Sequence, residues 1–142
     1  MKRIIAAILI ALLSVNSFEV ISEALTKSDS IVVMDINSST KKSELYLNSN
    51  TATCKSTYYE SNSPVSSISA TQTLEKKGLF GIYSSVSGAS WTKTVTTQNL
   101  SMSNTKSNLS SGTYRLKTVF TVTLKSGTIE SVTVYSTEKT VH

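Results

Sequence analysis

Apolar and hydroxylated residues alternate along most of this 142-residue chain, with the two-residue period of strands rather than the 3.6 of a helix. The longest run spans 112–124. Tyr114, Leu116, Thr118, Phe120, Val122 and Leu124 fall on one face, and Thr113, Arg115, Lys117, Val119, Thr121 and Thr123 on the other. Gly127 marks a turn, and Ile129 to Tyr135 runs back. A two-residue loop would pair Phe120 with Thr133 and send Val132 and Val134 to the opposite face. A three-residue loop, Lys125-Ser126-Gly127, pairs Phe120 with Val132 and Thr118 with Val134 and keeps the apolar residues together. The second register is the expected one.

Upstream, "TATCKSTYY" (51–59) sets Ala52, Cys54, Ser56 and Tyr58 on one face, and "SISATQTLEK" (67–76) does so for Ile68, Ala70, Gln72 and Leu74. "SWTKTVTT" (90–97) aligns Trp91, Lys93 and Val95, while "LYL" (45–47) and "LSM" (100–102) are shorter candidates. Short strands between Ser/Asn/Gly clusters predict an all-β, antiparallel sandwich of about seven strands.

The N-terminus breaks this texture. Lys2 and Arg3 precede the apolar run Ile4–Val15, and Ser22-Glu23-Ala24 offers small side chains at the positions a signal peptidase reads. The run falls short of the ~20 residues that cross a bilayer. The expected organisation is a cleavable signal peptide at 1–24, an N-terminal segment and linker at 25–43, and a β-sandwich domain at 44–142. The product would be secreted.

Residues 25–142 keep a net charge of +5, from 12 basic and 7 acidic side chains. Their polarity comes mainly from 24 Ser and 20 Thr, which suit turns and pleated surfaces. Cys54 is the only cysteine, so the domain must be held by its core, with Cys54 a buried filler on the inward face.

"SGTYRL" (111–116) stands at the entrance to the longest strand. In an immunoglobulin-like sandwich a tyrosine near the start of strand F bonds its hydroxyl back to the backbone upstream, and a core residue follows two positions later. Gly112 would allow the tight entry, with Tyr114 the corner, Leu116 the core residue and Cys54 on strand B. "TLEKKG" (73–78), "SWTKTV" (90–95), "SGTYRLKTVFTV" (111–122) and "ESVTVYSTEKTV" (130–141) extend the pattern. Together they resemble small exported immunoglobulin-like proteins of Gram-positive bacteria with GTYR and YS strand motifs. The resemblance covers roughly residues 45–142. It implies an exported immunoglobulin-like fold and carries no catalytic or ligand residue to this chain.

Catalytic chemistry finds little to stand on. The single histidine, His142, ends the chain, so neither a Cys54–His142 pair nor a serine triad is expected. Zinc would need a Cys/His cluster, and Asp29, Asp35 and Glu44 lack calcium-loop spacing. No cofactor or metal is expected. Glu44, Glu60, Glu75, Glu130 and Glu138 could supply a glycosidase pair but read as surface charges. Arg115 and Lys117 share a face with Tyr135 and Thr137, which reads as an ordinary solvated face.

The basic residues are spread out, unlike a nucleic-acid stripe, and suit loose attraction to an anionic cell-wall polymer. The local oddity is "GLFGIYSSVSGA" (78–89), where Leu79, Phe80, Ile82 and Tyr83 crowd into a presumed connection. They could fold back over the sandwich or continue as a strand at 82–86. Alternatively, they protrude as a contact site. The expectation is a secreted, monomeric, non-catalytic binding module for a protein or cell-wall polymer, without nucleic-acid binding or stable membrane insertion. The alternatives are a subunit assembling by strand addition through 31–36, and a glycan-acting enzyme.

Overall fold

A computed structural model describes residues 40–61 and 63–142; the expected signal peptide, its cleavage site and the segment 31–36 lie outside the described residues. The strands are β1 (Thr40–Asn48), β2 (Thr51–Tyr59), β3 (Val65–Lys77), β4 (Tyr83–Val95), β5 (Asn99–Lys106), β6 (Gly112–Leu124), β7 (Ile129–Tyr135) and β8 (Lys139–Val141). All neighbours pair antiparallel. One sheet has the order β1-β2-β5, the other β4-β3-β6-β7, and β8 pairs the start of β6 on the edge that β7 also uses. The two sheets pack as an all-β sandwich.

The β6–β7 hairpin has the expected register, with Phe120 opposite Val132 and Thr118 opposite Val134. Leu124 N–H bonds Thr128 C=O at 2.9 Å, closing the three-residue loop, and Gly127 has φ +90°. That left-handed backbone favours glycine.

Two strands are longer than the sequence pattern suggested. β1 starts at Thr40, so the last residues of the expected linker already pair with β2, from Thr40↔Tyr59 to Ser43↔Ser56. β4 starts at Tyr83, not Ser90. Thr73 pairs Ser90 but Glu75 pairs Ser85, so Val86–Ala89 bulge opposite Leu74 and Ala89 turns into the core. The bulge hides the first half of β4 from any search for alternation.

The core has two apolar halves. Leu45, Cys54, Leu74, Tyr114 and Leu116 centre one; Tyr58, Ile68, Leu100, Phe120 and Val122 centre the other; Trp91 packs against both. Between them runs a belt of buried polar side chains. Asn104 Nδ2 donates to Gln72 Oε1 (2.8 Å), and Gln72 Nε2 donates to Ser56 Oγ (2.7 Å) and the Cys54 carbonyl (3.3 Å). Ser56 and Thr118 hydroxyls lie 2.7 Å apart, Thr118 and Ser43 hydroxyls 2.9 Å, and Ser43 Oγ donates to the Leu116 carbonyl at 3.3 Å. One donor direction, from Asn104 to Leu116 O, satisfies every member. Among the described residues no buried side-chain polar atom lacks a partner. Each such bond contributes about 1 kcal/mol net, and a partner left unpaired costs ~1–3 kcal/mol.

Candidate functional site

The β3–β4 hairpin builds the most exposed apolar feature of the described residues. Gly78 N–H bonds Ile82 C=O at 2.7 Å, which leaves Leu79-Phe80-Gly81 as a three-residue loop with a single 3-10 turn. Leu79 is 83% exposed, Phe80 98% and Ile82 68%. Phe80 has φ +61°, a left-handed backbone that a bulky L-residue rarely adopts. The segment 78–89 thus divides: residues 79–82 project into solvent, and residues 83–89 belong to β4.

Tyr83 does not join the projecting cluster. The Arg115 guanidinium lies 3.7 Å from the centre of its ring and 4.2 Å from that of Tyr135. Arg115 Nε also donates to Glu75 Oε2 at 2.7 Å, and Glu75 is 8% exposed. Tyr83 OH donates to the Glu138 carboxylate, which Lys77 Nζ approaches at 3.3 Å. The bond from Tyr83, with Lys77 beside it, holds Glu138 below the usual carboxylate range; the bond to Glu138 raises Lys77. The face expected to be ordinary and solvated is a layered stack of aromatic rings and charges drawn from β3, β4, β6 and β7 and from Glu138 before β8. It braces the hairpin stem from its outer side. Sequence alternation places Arg115 and Tyr135 on one face; Tyr83 joins them because 82–86, left open between fold-back, strand and protrusion, runs into the first part of β4.

On the inner side of the same stem, Tyr114 is buried and its hydroxyl donates to the Ser110 carbonyl at 2.6 Å. Gly112 has φ +145°, and a Cβ there would run into the Lys76 side chain. Leu116 is fully buried two residues on. Cys54 is buried, and burial pushes its thiol up to about 12. His142 lines a surface groove with Leu47, Asn50 and Thr140. Trp91 is half-buried and lines an open groove of about 540 Å³ between the edges of β4 and β5, which Lys93 Nζ crosses to donate to the Ser101 carbonyl at 2.7 Å.

Two of the carboxylates considered for glycan chemistry, Glu75 and Glu138, belong to the stack around Arg115, each tied into an ion pair. Glu75 is bound by Arg115, Glu138 by Lys77 and Tyr83, and Glu60 accepts from Tyr58 OH at 3.3 Å. Among the described residues no group of three or more His, Cys, Asp or Glu is placed to hold a metal ion, and no helix is long and apolar enough to cross a membrane.

No protein-family model matches the chain, and comparison with curated proteins finds no match. The class is set by the fold alone: a two-sheet antiparallel sandwich with a projecting apolar hairpin tip.

Proposed function

We propose that the chain is an exported, immunoglobulin-like, non-catalytic interaction module that engages its partner through the β3–β4 hairpin tip. The observation that carries this reading is the exposure of Leu79, Phe80 and Ile82 on a stem braced from both sides. A soluble domain gains nothing in its own fold from apolar side chains held in water, whereas a partner surface does.

The immunoglobulin-like assignment is supported by strand order. Reading β1-β2-β5 as A-B-E and β4-β3-β6-β7 as C′-C-F-G puts the Tyr114–Ser110 bond at the start of strand F, where a tyrosine corner belongs. The fourth strand then lies on the sheet of C, F and G. The non-catalytic reading is supported by a buried Cys54 with a strongly raised thiol and by the ion pairs that hold Glu75 and Glu138. Strand addition at the β5 edge would have to displace Lys93, which donates to the Ser101 carbonyl there.

The test is retention of the full chain on the surface fraction of the producing cells. Leu79→Ser with Phe80→Ser should lower retention about a hundredfold, since each buried side chain contributes ~1.5–3 kcal/mol. Thermal unfolding should move by no more than roughly 2 °C. Unchanged retention would remove the tip as the contact.

A further inference from the structure

A second feature sits beside the tip. Lys76 and Ser84 face each other on the hairpin stem, two rungs from the loop. With Lys106, Asn108 and Ser110 they line a pocket of about 220 Å³ that also touches Tyr114. Two lysines, serines and an asparagine line it beside the apolar Val86 and Leu109, no carboxylate lines it, and Lys106 Nζ reaches toward Gly88 at its side. Lys76 Nζ donates to Ser110 Oγ at 2.8 Å and lies 5.6 Å from the Tyr114 ring centre, so its position is set from two sides. The carboxylates nearest in sequence and pairing, Glu75 and Glu138, are held by Arg115 and Lys77. Asn108 has φ +59°. The pocket matches a tetrahedral anion with several acceptor oxygens, such as a phosphate ester.

We propose that the hairpin tip and this pocket together dock the domain on an anionic lipid surface. Leu79, Phe80 and Ile82 enter the acyl boundary, and a lipid phosphate sits between Lys76 and Lys106. The inference rests on the reading of the tip as the contact and names its partner. The tip projects with Leu79 and Phe80 almost fully exposed, a shape suited to a soft apolar medium. Two backbone bonds, Gly78 N–H to Ile82 C=O and Ile82 N–H to Leu79 C=O, pair part of the loop's backbone, and shallow entry keeps its remaining polar groups at the hydrated headgroup level. Shallow burial of an apolar face with cationic groups above it is the pattern of reversible interfacial binding. No segment crosses the bilayer in this arrangement.

The experiment is co-sedimentation of the full chain with vesicles of phosphatidylcholine alone or with about one third phosphatidylglycerol; every variant carries the same N-terminal residues, so differences report the domain. The wild type should bind the anionic vesicles at least tenfold more tightly, and less so at high salt. Leu79→Ser/Phe80→Ser should weaken that binding at least tenfold. Lys106→Gln, and separately Lys76→Gln, should erase most of the preference for phosphatidylglycerol with an unchanged melting curve; Lys106→Gln stands alone if Lys76→Gln unfolds. Inorganic phosphate at millimolar concentration should not release the bound protein. If the tip variant loses cell-surface retention while the wild type ignores both vesicles, the lipid inference is overturned and the tip serves another partner. If vesicles bind wild type and tip variant alike, the lipid inference falls, and retention of the same variant on cells decides the tip reading separately. Release by phosphate alone would make the pocket a site for the free ion, against the proposal.

Discussion

In the β6–β7 hairpin a Lys125-Ser126-Gly127 loop turns the chain, while in the β3–β4 hairpin a loop of the same length reads Leu79-Phe80-Gly81. Both loops end in a glycine with positive φ, Gly127 at +90° and Gly81 at +78°. Both are closed by a backbone bond between the flanking residues. The first has the hydrophilic composition that a surface turn requires and nothing more. The second holds Leu79 and Phe80 in water, Phe80 in a left-handed conformation, whereas the flanking Ile82 is about as exposed as Ile129 beside the first. Since the polar loop shows what this sheet needs in order to turn, the apolar residues of the other are surplus to folding. That surplus points to a role outside the fold.

The stems differ as much as the tips, and this gives the largest expected effect. Arg115→Ala removes the group between Tyr83 and Tyr135 and leaves Glu75 without its cation. It should lower stability by about 2 kcal/mol in urea unfolding. On the outer face near the other hairpin, the Thr121 hydroxyl lies 3.4 Å from that of Ser131, a long and exposed contact, so Thr121→Ala should change stability by less than ~0.5 kcal/mol. Equal losses would mean that the stack does not brace the β3–β4 stem.

Smaller effects should come from the loops, with opposite signs. Phe80→Gly relieves left-handed strain and should raise stability by about 0.5–1 kcal/mol, net of the entropy of glycine. Gly127→Ala meets open space but inherits φ +90°, and should lower stability by about 1 kcal/mol. Thermal unfolding of the two variants side by side reads both; a loss on Phe80→Gly would mean that Phe80 supports the fold.

The smallest effect concerns Glu138. Its folded-state pKa is lowered by the Tyr83 bond and Lys77, so its contribution is present above the usual carboxylate value of 4.5 and fades as pH falls through the lowered one. Glu138→Gln should therefore melt slightly below wild type at neutral pH, by roughly a degree, and level with it in acid. A difference that persists or grows in acid would contradict this pairing.

Much of the sheet was legible because alternation is a local signal. Phe120 and Val132 could be paired from apolar faces and loop length alone, and Cys54, Ser56, Gln72 and Leu74 fall on inward faces as their spacing requires. The first half of β4 was legible only as one option for 82–86, because Val86–Ala89 interrupt the period that would join it to 90–97. Nor was the start of β1 at Thr40, since Thr40-Lys41-Lys42-Ser43 carries no apolar residue; its pairing with β2 and the bonds of Ser43 place it. The apolar tip was visible as composition, but its projection depends on where the hairpin closes. Lys76, Lys106 and Asn108 gave no sequence signal as a group, because tertiary packing alone brings β3 and β5 together there.

Ser43, Ser56, Gln72, Asn104 and Thr118 also do a job that many exported sandwiches give to sulfur. Sliding either sheet past the other would break a continuous line of dipoles, so hydroxyls and amides keep the layers in step. Such alignment needs no disulfide: with Cys54 alone, dithiothreitol has none to cut and none can close within the domain.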